Sequence, residues 1–138
     1  MASAITETNM RVLLIIFSIV LLLATNVAAQ HGGKAEPLRI EFATGASSKV
    51  LTGTLSNGEE MEYVFAATKG QTVTVRNSNH ALFDFRIFSD ELNVETEFES
   101  SPSLKLTLPE SGDYYFFVRK KMVKTPRRAR FSLTLTIK

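Results

Sequence analysis

The chain holds two histidines, His31 and His80, and no cysteine. Without thiols, thiol catalysis, thiolate metal sites and redox switching are excluded. Two histidines this far apart form a metal site only if His31 becomes an N-terminal residue. Its amine and ring nitrogen would then serve as copper ligands, with His80 as the next ligand. The cleavage pattern described below starts the exported chain at Gln30 instead, so no metal or other cofactor is expected. Ser111 stands in S-G-D-Y rather than in the G-x-S-x-G turn of a nucleophilic serine, and no acid–base partner for it is identifiable. The paired carboxylates Glu59/Glu60 and Glu95/Glu97 lie in polar contexts, whereas glycoside hydrolysis needs two carboxyls held across a cleft, one with a raised pKa. Asp84, Asp90 and Glu91 lack the spacing of a calcium loop. The chain therefore reads as non-enzymatic.

Charge is the stronger signal. Lys and Arg number 16 against 14 Asp and Glu, a net charge of only +2, but the two signs are segregated. Every charge from Asp90 to Glu99 is acidic, and every charge from Arg119 to Arg130 is basic. A polarised molecule can steer a partner with either end. The basic segment RKKMVKTPRRAR has three readings: nucleic acid, an anionic envelope surface, or a protein with an acidic cleft. Nucleic acid is disfavoured, because the segment has no aromatic residues on which bases would stack and because the chain carries an export signal.

That signal is the first of the elements that position these residues. Arg11 precedes an apolar run, Val12 to Leu23, broken only by Ser18. The run is short of the ~20 residues that span a bilayer. Val27 and Ala29 supply the small-residue pattern for cleavage before Gln30. The expected organisation is a signal peptide over 1–29, a flexible leader over 30–36 (QHGGKAE), and one folded domain over 37–138, periplasmic or secreted and not membrane-spanning once the signal is removed. The domain is large enough for one core without disulfide staples.

The rest alternates with period two. LRIEFA, KVLTGTL, EMEYVFAA, QTVTVRN, FDFRIF, LKLTL, DYYFFV and FSLTLTI read as strands with turn residues between them. About eight short strands and no helix in the domain predict an all-β fold, a single antiparallel sandwich of jelly-roll or Greek-key type. Asn57-Gly58 is the strongest hairpin signal, of type I′. Gly53 inside a strand predicts a bulge or a close backbone approach. Asp90 to Ser103 is irregular, with a weak strand near Glu95–Phe98. In the strand after Gly112, Tyr114, Phe116 and Val118 face the core. Tyr115 and Phe117 make the other face apolar as well, either covered by the acidic segment or leader or left open as a contact patch.

The runs V-L-T-G-T-L…Y-V-F-A-A-T-K-G-Q-T-V-T-V, F-D-F-R-I-F, L-T-L-P-E-S-G-D-Y-Y-F-F-V and F-S-L-T-L-T-I resemble the bacterial pre-peptidase C-terminal β-sandwich. Within that group the chain is most similar to the periplasmic inhibitors of g-type (goose-type) lysozyme, on a short strand followed by Gly45-Ala46-Ser47-Ser48 and on the turn Ser111-Gly112-Asp113-Tyr114. The resemblance implies an exported protein that plugs the lysozyme active-site cleft with surface loops and does no chemistry. It implies contacts through Ser111, Gly112, Tyr114, Arg119, Lys121, Arg127 and Arg128. Basic side chains would pair with the catalytic Glu and a Tyr would stack in a sugar subsite, while the acidic segment draws in a basic lysozyme. The chain departs from the family in its basic segment, where Met122 stands near an expected Arg and Pro126 interrupts, and after Gly53, where aromatics are missing. The alternative is a generic sandwich module that binds envelope glycan or another envelope protein, with Tyr115 and Phe117 as its contacts.

Overall fold

Short runs of β-branched and aromatic residues separated by Gly, Asn, Ser and Pro leave the backbone little choice but extended strands joined by turns. A computed structural model describes residues 35–138. The expected signal segment and most of the leader lie outside the described residues. Nine strands are formed: β1 (Leu38–Arg39), β2 (Ser48–Ser56), β3 (Glu60–Ala67), β4 (Thr72–Asn77), β5 (Phe83–Ser89), β6 (Val94–Glu95), β7 (Ser103–Thr107), β8 (Gly112–Lys120) and β9 (Arg128–Ile137). Among the described residues there is no helix.

The strands make a sandwich of two sheets, one ordered β1-β3-β8-β5-β6 and the other β2-β9-β4-β7. All pairings are antiparallel except that of β1 with β3, which is parallel. The expected antiparallel sandwich is formed, with the two-residue β1 docked in parallel at its edge. Between β2 and β9 the chain passes back and forth between the sheets, and β5 with β6 is the one sequential pair that shares a ladder.

The expected hairpin at Asn57-Gly58 is a correction. β2 and β3 do not pair with each other. β2 pairs along its whole length with β9 (Ser48 with Thr136 through Ser56 with Arg128), and β3 pairs with β8. The turn is a corner between sheets. Glu59 N–H donates to Ser56 O at 2.9 Å, and the backbone φ is positive at Gly58 but not at Asn57. A type I′ turn needs it positive at both.

The core lies between the sheets. Phe65, Val73, Val75, Phe83, Phe85, Ile87, Leu108, Tyr114, Phe116, Val118, Phe131, Leu133 and Leu135 are fully buried. Each large side chain removed from water contributes roughly 1.5–3 kcal/mol, so a core of this size needs no disulfide. Phe65 stacks on Tyr114, and Phe83 meets Phe131 edge to face, with ring centroids 5.6 Å apart in each pair. Gly53 is a close approach rather than a bulge. It keeps register with Phe131, and a Cβ there would sit 2.7 Å from the buried Phe131 ring.

Candidate functional site

The expected contact residues flank the two ends of β8. At its start the chain turns through Pro109-Glu110-Ser111. Ser111 Oγ accepts the Lys69 N–H at 2.8 Å, joining this turn to the β3–β4 turn. Gly112 opens the strand against Leu92. Tyr114 is fully buried, and its hydroxyl donates to Glu110 O at 2.5 Å. Tyr114 is therefore a structural pin, not a partner contact. The alternation that put Tyr114, Phe116 and Val118 in the core decides its place, and the S-G-x-Y motif does not bring it to the surface.

At the far end β8 runs into residues 121–127, which cross to β9 in the other sheet. Nine residues of strand separate the two ends, about 27 Å at strand rise. Ser111 and Gly112 thus lie at the opposite end of the sandwich from Lys121, Arg127 and Arg128. The structure does not bring the expected contacts together into one site.

The far end is built around Asn57. Its backbone N–H donates to Arg127 O at 2.8 Å, and Gly58 N–H donates to Lys120 O at 2.9 Å. The Asn57 Nδ2 donates to Val123 O at 2.6 Å, and its Oδ1 accepts from Lys120 Nζ at 2.9 Å. Lys120 is fully buried and also donates to Lys121 O at 3.0 Å. Unlike its exposed neighbours in the basic segment, this cation sits inside and braces the loop. Lys121 is held from the other side. Its N–H donates to Leu82 O at 2.9 Å, and its Nζ donates to His80 O at 3.0 Å. The Thr125–Pro126 peptide is cis.

What this bracing presents to solvent is Met122, 75% exposed, with Lys124, Arg127 and Arg128 exposed beside it. Two shallow recesses of about 420 Å³ flank Met122. One is lined by Asn57, Val123, Lys124 and Arg127, the other by Gly58, Glu60, Arg119, Lys120 and Lys121. Met122 was visible in the sequence only as a departure from the family, and nothing local to Asn57 reveals that it clamps a loop more than sixty residues away.

Arg119 lines the edge of the second recess, and its guanidinium reaches onto the outer face of the five-stranded sheet. Its Nε and Nη2 donate to both carboxylate oxygens of buried Asp84 at 3.0 and 2.7 Å. That bond, opposed by desolvation, holds the guanidinium above its ordinary pKa. The ring of Phe98 lies 3.7 Å from its carbon. Phe98 also stacks on Arg86, which lies 4.8 Å from the Phe117 ring centroid. The apolar outer face is therefore half covered: Phe117 is buried beneath Arg86, and Tyr115 remains 37% exposed. Phe98 belongs to the acidic stretch, which pairs along β5 through β6 and the Phe85–Glu99 bridge. Phe117 is lost as a contact for the alternative reading.

Among the described residues no cluster of His, Asp and Glu could hold a metal ion, and no helix is long and apolar enough to cross a membrane.

No family model and no curated protein matches the chain. Solved structures do. The g-type lysozyme inhibitor PliG of Aeromonas hydrophila superposes with a TM-score of 0.62 at 25% identity, covering 74% of this chain and 96% of that one. The chain has the fold of the periplasmic g-type lysozyme inhibitors. PliG of Salmonella Typhimurium gives a TM-score of 0.62 at 25% identity, covering 76% of this chain and all of that one. The pre-peptidase C-terminal domain of a Bacillus anthracis collagenase shares the fold at 15% identity, with a TM-score of 0.50 over 76% of this chain and 97% of that one. The PliG proteins are inhibitors of g-type lysozyme, in accord with the non-enzymatic reading of this chain.

Proposed function

We propose that the protein is an exported, periplasmic inhibitor of g-type lysozyme and that it binds with the end of the sandwich carrying residues 121–128. The likeness to PliG supports the inhibitor role. The observation that carries the choice of surface is Met122, an exposed apolar side chain on a loop locked by Asn57 and Lys120. A rigid loop loses little conformational entropy on binding, so more of its contact energy appears as affinity. An apolar tip ringed by Lys124, Arg127 and Arg128 matches a cleft with a carboxylate at its base and apolar sugar subsites. The tip would fill a subsite, and a cation would pair with the catalytic Glu. Met122 replaces the Arg expected from the family, so the pairing falls to Lys124 and Arg127. Ser111 and Gly112 face the other end and take no part in this contact.

The test is a titration of g-type lysozyme with purified protein on bacterial walls. Clearing of the walls is expected to stop at a stoichiometric ratio. Unchanged clearing at micromolar excess ends the inhibitor reading.

A further inference from the structure

We infer that the outer face of the four-stranded sheet is a binding surface for an acidic polysaccharide. β2, β4, β7 and β9 contain no Asp or Glu. The acidic residues that occur in strands lie in the other sheet. Segregation by sheet is sharper than the segregation along the chain, because it leaves one whole face without an anionic side chain.

The outward positions are Ser48, Thr52, Thr54 and Ser56 on β2, Ser132, Thr134 and Thr136 on β9, Thr72 and Thr74 on β4, and Ser103 and Thr107 on β7. A 2.7 Å hydroxyl pair between Ser48 and Thr136 joins neighbours across this face. Four cations stand among these hydroxyls. Arg128 and Arg130 lie opposite Ser56 and Thr54. Arg76 lies between Thr134 and Ser103, and Lys105 lies opposite Thr74. Among the described residues none of the four has an ion-pair partner.

The registers place them on a diagonal. Arg76 is opposite Thr134, four residues along β9 from Arg130 and one strand over, about 14 Å away at strand spacings. Lys105 is two residues and one strand further, about 8 Å. A shallow groove of about 510 Å³ lies on this line, lined by Arg76, Asn77, Ser78, Pro102, Ser103, Ser132 and Thr134.

Charge complementarity calls for a polyanion. The rest of the face selects its kind. Val50 is the one large apolar side chain exposed there, so the face lacks the apolar centre of a protein interface. It has no aromatic residue on which an unpaired base could stack. A hydroxyl-paved groove with cations at intervals suits a sugar chain. Ring hydroxyls exchange hydrogen bonds with Ser and Thr, and uronate or phosphate groups meet Arg76, Lys105, Arg128 and Arg130.

The proposal is tested by titrating the purified protein with alginate, a polyuronate, beside neutral dextran and poly-glutamate. Alginate is expected to bind, more weakly as salt rises, with dextran inert and poly-glutamate weaker. Arg76→Ser with Lys105→Ser is expected to reduce alginate affinity roughly tenfold. Both side chains are exposed and, among the described residues, without an ion-pair partner, so the unfolding midpoint and lysozyme inhibition stay at the parent level. Thr74→Val with Thr134→Val is expected to weaken alginate severalfold while leaving poly-glutamate unchanged. Absence of alginate binding, equal binding of dextran, or indifference to the Arg76/Lys105 pair overturns the proposal. Tighter binding of poly-glutamate overturns it too, by assigning the face to an acidic peptide. Loss of lysozyme inhibition with alginate binding intact bears on the inhibitor reading alone.

Discussion

Asn57 does at one position what a disulfide does in many small domains: it ties remote segments together. Its amide donates to Val123 O and accepts from Lys120 Nζ. Asn57→Ala leaves a buried ammonium short of an acceptor, which costs about 1–3 kcal/mol. The unfolding midpoint is expected to fall by about 4–8 °C for each kcal/mol lost, and lysozyme inhibition to weaken as the loop loosens. A calorimetric scan and an inhibition titration on the same sample check both. Tyr114 gives the opposite pattern. Tyr114→Phe removes one hydroxyl bond to Glu110 O, for about 1 kcal/mol of stability, and leaves inhibition as it was. The sequence carried two signals for this residue. Strand alternation put its side chain in the core and the turn motif put it at a contact; the buried ring follows the alternation. Lys120 obeys the same parity, which runs through Phe116 and Val118 to an inward position, and a charge count could not reveal it.

The strands themselves were legible because each has its own local pattern. Their pairing was not. Asn57-Gly58 specifies a turn, but whether the two flanking strands share a ladder depends on β8 and β9, which lie some sixty residues on. The parallel docking of β1 was equally hidden, since two residues carry no directional signal. That docking makes its own prediction. Arg39 Nη2 donates to Asp113 Oδ2 at 2.6 Å, and the bond with Arg39 holds the Asp113 carboxyl below the usual aspartate range. A carboxyl whose pKa is lowered by folding contributes stability above its unfolded value, about pH 4, and that contribution is lost as pH falls through the lower folded value. Both side chains are half exposed, so the effect is local and screened by salt. Exchange of the Ile40 amide, which donates to Val64 O at 2.8 Å, is expected to quicken below pH 4 relative to β8 amides. Asp113→Asn is expected to show the quicker exchange already at neutral pH. Equal exchange in both proteins at both pH values contradicts the clamp.

For the whole molecule, the sandwich sets apart surfaces that the linear sequence runs together. The loop end carries Met122 and its cations, the S-G-x-Y turn lies about 27 Å away, and the four-stranded face, which adjoins the loop end at Arg128, carries hydroxyls and cations with no Asp or Glu in its strands. If the loop end grips lysozyme, one triple variant must lose affinity for it. Met122→Ser, Lys124→Ser and Arg127→Ser change only exposed side chains, so the fold stays intact. Loss of an apolar anchor and two cations from one contact is expected to weaken binding of g-type lysozyme at least a hundredfold, measured by calorimetric titration against the parent protein. An affinity within a factor of two of the parent would rule out the loop end and move the contact elsewhere on the sandwich.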